Sequence, residues 1–247
     1  MALFNKRGTA LTIIQDACGQ LGLPVPASVV TATNDTTAQQ MLRLLTWSGR
    51  KLIKPTNTHR WQQLLRTWEL VTTGATTYAL PADWDSFEDL TAWNVTSRLP
   101  MLGPATDPQW QCLKARALGN STISVIYRTR NGLFEIYQAP PTAQSLRIDY
   151  SSRAWVHDAA DVSEYRDFID ADDDIVQYDN ELITALLKLQ FLTAKGFDTS
   201  AAQSEYDELL EAAISADSDA PVLRVTRSDS YPLLTTEFNT PDTGYGS

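Results

Sequence analysis

The chain has 247 residues, 43% hydrophobic and 20% charged, enough to bury a real core as one large domain or two small ones. Its formal net charge of −10 argues against general nucleic-acid binding, which needs clustered Lys and Arg to neutralise phosphates. The charge is uneven: fifteen basic and ten acidic residues run through His157, and five basic and twenty acidic follow from Asp158. One end of the chain therefore attracts the other end, in the same copy or in a neighbour.

Two cysteines, Cys18 and Cys112, have no CxxC or framework spacing, which suits buried thiols in a reducing compartment. Gln15 and Asp16 interrupt any secretory apolar region, and no run of eighteen apolar residues occurs. The expectation is a soluble protein made inside the cell.

In chain order, Leu11, Ile14, Cys18 and Leu21 share one helix face, and Gly22, Pro24 and Pro26 end that helix. Asn34 or Asp35 caps a second helix with Met41, Leu42, Leu45 and Leu52 in register, stopping before Pro55. From Trp61 to about Val156 the texture turns to short strands. WELVTTGATTYAL reads as two strands joined at Gly74. Asn131-Gly132, flanked by alternating Ile123, Val125, Tyr127 and Phe134, Ile136, marks a hairpin. Leu146, Ile148 and Tyr150 alternate in a further strand after Pro140-Pro141. DPQWQCLKARAL predicts a short helix with Asp107 as cap and Pro108 first inside it.

Helices return at Asp179. Leu182, Ile183, Leu186, Leu187, Leu189 and Phe191 make too wide an apolar surface for one-sided packing. Gly196 ends this helix, and Asp198 opens another with Tyr206, Leu209, Leu210, Ala213 and Ile214 on one face. The class is α+β: a four-helix bundle from residues 1–58 and 161–217, a β-rich insertion over 59–160, and an extended arm over 218–247. The arm is rich in Pro, Gly, Ser, Thr and Asp, yet carries Val222, Leu223, Tyr231, Leu233, Leu234, Phe238 and Tyr245. A tail without its own core but with such anchors is expected to bind another surface, of a neighbouring copy or a partner.

Chemistry-bearing motifs are sparse. DADDDIVQYDNE places Asp170, Asp172, Asp174 and Glu181 at calcium-loop positions 1, 3, 5 and 12. Position 6 needs a positive φ and is Ile175, so an acidic helix approach that complements the helix dipole is the simpler reading. His59 and His157 lie in no metal-ligand spacing, and no nucleotide-loop, GxSxG or HExxH pattern occurs. No catalytic, cofactor-binding or metal residue is assigned. Of seven tryptophans, Trp61, Trp68, Trp84, Trp93, Trp110 and Trp155 crowd the middle region, as core or as interface anchors.

In order, YALPADWDSFEDLTAWN, PMLGPATDPQWQCLKA, the Asn-Gly hairpin, SSRAWV and DADDDIVQYDNELITALLKLQFLTAKGFD resemble the head-to-tail adaptors of tailed bacteriophages, over about Thr9 to Ala216. The likeness to the tail-tubular and gatekeeper proteins of short-tailed phages is weaker. The resemblance implies a structural protein, not an enzyme, in a ring usually of twelve copies under the portal of the virion neck, assembled in the host cytoplasm. Its bundle would pack against neighbours, its β-rich part face the tail nozzle or tube, its arm reach the portal, and genomic DNA pass through the lumen without sequence-specific contacts or a membrane. The alternatives are a nozzle or tail-fibre-docking protein and, third, an enzyme with metal carboxylates at Asp172 to Asp174.

Overall fold

The structure, a computed structural model, describes residues 7–32, 34–55, 59–116, 125–161 and 164–217, all within one compact unit, Met1–Asp217. Five α-helices and several antiparallel sheets among these residues make the class α+β. No helix among them is long and apolar enough to cross a membrane.

Helix α1 (Ala10–Leu21) starts where Thr9 and Thr12 exchange side-chain and backbone bonds, each at 3.2 Å, and stops at Gly22 in the left-handed region, φ 68°. Its buried stripe is Ala10, Ile13, Ile14, Ala17 and Cys18, with Leu11 and Leu21 at its margins. Helix α2 (Thr36–Leu52) is capped by Asp35, which accepts from the N–H groups of Thr37 and Ala38. Met41, Leu45, Ser48, Gly49 and Leu52 face inward from α2.

Helix α3 (Asp107–Arg116) begins one residue earlier than an Asp107 cap implies, and Thr106 is its cap. Thr106 supplies the first carbonyl, to the Trp110 N–H at 2.8 Å, and donates its own N–H to Gln109 Oε1 at 2.9 Å. Asp107 is thereby inside the helix and free to reach Arg128, at 3.1 Å. Helix α4 (Asn180–Lys195) is capped by Asp179 and closed by Gly196 at φ 71°. Helix α5 (Ser200–Asp217) follows, and α1, α2 and α5 each pack on α4. That three-sided packing explains nine buried residues in α4, against two in α5.

The strands are β1 (Leu65–Val71), β2 (Thr77–Ala79), β3 (Trp84–Phe87), β4 (Trp93–Asn94), β5 (Leu99–Pro100), β6 (Tyr127–Arg130), β7 (Leu133–Ile136), β8 (Ser145–Ser152), β9 (Val156–His157), β10 (Tyr165–Arg166) and β11 (Ile175–Val176). Strand β8 organises the largest sheet: β1 pairs along its whole length, from Leu65 opposite Ser151 to Val71 opposite Ser145, and β3 and β4 pair with it as well. The two strands joined at Gly74 are thus no hairpin. Strand β1 goes to β8, while β2 joins the β6–β7 hairpin through β7. That hairpin turns at Asn131 (φ 54°) and Gly132 (φ 72°), the two positive φ values of its turn type.

Two apolar cores result. One gathers the inner faces of α1, α2, α4 and α5 with Trp61, Trp155, Val156, Ile169, Val176 and Tyr178. Trp155 is wholly buried, stacks 6.2 Å from Tyr178, and donates its indole N–H to the Asp167 carbonyl at 3.1 Å. Gly49 makes room for it, since a Cβ there would overlap the indole carbons. The other core is built from the β8 sheet and the β2–β7–β6 sheet, with Phe87, Tyr127, Phe134, Leu146, Ile148 and Tyr150. Beside it Arg128, its side chain 6% exposed, joins Asp107 and Glu135 and lies 4.4 Å from the Trp110 ring.

Candidate interaction surfaces

The acidic stretch before α4 turns inward onto the backbone. Asp172 Oδ1 accepts from the N–H groups of Val29 (3.0 Å) and Val30 (2.9 Å), in the segment between α1 and α2. The main-chain carbonyls of Asp174 and Asp172 accept from Ala10 (2.8 Å) and Leu11 (3.0 Å), first-turn N–H groups of α1 that have no partner within the helix. Asp174 Oδ2 accepts from the N–H groups of Asp170 (2.7 Å) and Ala171 (2.9 Å). Ile175 bridges to Thr9 and belongs to β11, the Asp172 and Asp174 carboxylates are turned onto backbone N–H groups, and of the motif's acidic residues Glu181 lies in the first turn of α4; Asp173 alone among the central carboxylates is exposed.

Electrostatics fit that arrangement. Burial works to raise the Asp172 carboxyl, and hydrogen bonds from Ser28 and the Val30 and Val29 N–H groups outweigh it, holding it below the usual carboxylate range. Arg166 gathers Asp158, Glu164 (3.2 Å) and Asp170 (3.3 Å), with Asp174 at 3.8 Å. Among the described residues, no group of three or more His, Cys, Asp or Glu is arranged to hold a metal ion.

Both histidines have structural partners. His59 lies 3.2 Å from Asp217 and meets Trp61 edge-on at 4.7 Å. His157, buried, places Nδ1 3.0 Å from the Asp158 carbonyl. The expected tail anchors Val222, Leu223, Tyr231, Leu233, Leu234, Phe238 and Tyr245 lie outside the described residues.

Charge is sorted between two of the helices. Helix α2 carries Arg43, Arg50 and Lys51 and no acidic residue; α5 carries Glu205, Asp207, Glu208, Glu211 and Asp217 and no basic one. Trp47 projects from α2 with 51% of its surface exposed, and the Lys51 ammonium stands 5.4 Å from its ring centre. A groove of about 660 Å³ runs between α1, α4 and α5, with Asp16, Glu181, Glu205 and Glu208 in its lining beside Ala185, Leu209 and Ala212. Lys188 spans it, donating to Gln20 (2.8 Å) and Glu205 (2.7 Å).

Trp47 is the surface residue that the sequence reading passes over. Its signal was present: Arg43, Trp47 and Lys51 recur every four residues, on the side of the helix away from Met41, Leu45 and Leu52.

The frame is α+β, with basic residues on α2 and acidic residues on α5. The chain belongs to the SU10 adaptor protein family, whose model matches residues 9–230 and so takes in both cores and all five helices. It is a structural adaptor of the bacteriophage virion, the class its sequence resembles. No curated protein matches the chain.

Proposed function

We propose that this protein is a head-to-tail adaptor that forms a ring, of twelve copies, between the portal and the tail of a tailed phage. Helices α1, α2, α4 and α5 act as a four-helix bundle that packs neighbouring copies together. The β-rich part over 59–160 faces the tail nozzle or tube. The arm over 218–247 docks on the portal or a neighbouring copy through Val222, Leu223, Tyr231, Leu233, Leu234, Phe238 and Tyr245. Genomic DNA passes through the lumen, and the net charge of −10 suits a wall that does not hold a sliding polyanion. The chain is made in the host cytoplasm and ends in the virion neck.

The match over residues 9–230 to a phage adaptor family carries this reading. Its test is to mix the full-length protein with the portal and image the product by negative stain. An added layer under the portal is expected; portal particles without one overturn the proposal. Crosslinks found only to nozzle or tail-fibre proteins would assign the chain to that part of the tail instead.

A further inference from the structure

Two helical surfaces of this chain are complementary to each other and unlike themselves. The outward face of α2 presents Arg43, Trp47 and Lys51, and Arg43 makes no ion pair among the described residues. Arg50, on the same helix, is already tied to the Asp167 carbonyl at 3.2 Å. The groove between α1, α4 and α5 presents Asp16, Glu181 and Glu208, with Glu205 already paired to Lys188, beside the apolar Ala185, Leu209 and Ala212, and no residue of α2 lines it.

We propose that neighbouring copies meet by seating the α2 face of one in the α1–α4–α5 groove of the next. The inference rests on the ring reading and names the surfaces that make the ring. Charge complementarity commits the occupant to a second copy: cations of α2 meet groove carboxylates, whereas α2 against α2 or groove against groove sets like charges together. Trp47 supplies the aromatic anchor, over Ala185, Leu209 and Ala212. Because the two faces are different patches of one chain, the contact is heterologous, and repeating it closes a ring when the rotation permits.

The test uses charge reversal in the full-length chain, read by native mass spectrometry and sedimentation. Arg43→Glu with Lys51→Glu reverses the α2 face, and Glu181→Lys with Glu208→Lys reverses the groove; all four residues are exposed, so no core contact is lost. Each pair of substitutions weakens self-association by about a hundredfold or more. An equimolar mixture of the two variants recovers it, since each reversed face then meets an opposite one. Circular dichroism checks the fold; if a reversal disturbs it, Arg43→Gln with Lys51→Gln and Glu208→Gln read the same loss at about tenfold.

Reversed variants that assemble like the wild type, or a mixture that stays apart, overturn the interface while leaving the ring standing. Loss of assembly on reversing the groove but not α2 gives the groove to another cationic occupant, and also overturns it. A wild-type chain that stays monomeric at every concentration, and on portal, removes the ring and this interface together.

Discussion

Asp172→Ala tests whether the acidic stretch is a staple. The substitution removes the acceptor of two backbone N–H groups, those of Val29, wholly buried, and Val30, half-buried. A hydrogen bond to a charged group contributes about 1.5–3 kcal/mol, and Val30 retains some access to water, so the loss is about 3 kcal/mol. Asp172→Asn keeps a neutral oxygen in place and loses about 1 kcal/mol. Asp173→Ala, next along the chain but exposed, stays within about 0.5 kcal/mol of the wild type. Urea unfolding followed by circular dichroism ranks the three. The pH dependence follows from the lowered carboxyl of Asp172. Its stabilisation is complete above the unfolded-state value of about 3.9 and is lost as pH falls through the lower folded value, so Asp172→Asn flattens the acid limb there. Equal losses for Asp172→Ala and Asp173→Ala would refute the staple. So would a wild-type midpoint that rises in millimolar calcium while the Asp172→Ala midpoint does not, because that would make the stretch a calcium loop.

Two further changes probe the cores. In an exposed helix interior Gly→Ala stabilises by about 1 kcal/mol, but Gly49→Ala in α2 forces a methyl into the Trp155 indole and destabilises by about 1–3 kcal/mol; a raised urea midpoint would show that the packing is otherwise. Burial, with the nearby Asp89 charge, pushes the Tyr127 phenol up to about 12. The unfolded chain therefore releases that proton first, and stability falls as pH climbs from about 10 through 12; Tyr127→Phe makes the midpoint-against-pH curve shallower over that range, and an unchanged curve counts against a buried neutral phenol.

Much of the helical frame was legible in the sequence because its signals are local. Asp35 and Asp179 reach N–H groups two and three residues ahead, Thr9 reaches one three ahead, and Gly22 and Gly196 need only their own left-handed backbone to end a helix. Asn131-Gly132 likewise closes its hairpin by its own φ values. Even α3 was located, and only its cap was misplaced, because Thr106 and Asp107 are both competent caps and Arg128, distant in sequence, claims Asp107.

Sequence order could not reveal what depends on partners far along the chain. Strand β1 pairs with β8 about eighty positions on, and two-residue strands such as β9 and β11 exist only where tertiary contacts bring them side by side. The carboxylate of Asp172 reads as a calcium ligand or a helix-dipole partner until Val29 and Val30, more than 140 residues earlier, are seen beneath it. Composition alone showed opposite charge in the two parts of the chain, but folding decided which charges share a face. Helix packing turns Met41, Leu45 and Leu52 of α2 inward and thereby puts Arg43, Trp47 and Lys51 outside, while α1, α4 and α5 converge their carboxylates on one groove. Local backbone chemistry sets where elements begin and end; only burial, which acts between distant residues, sets which sides remain to meet another molecule.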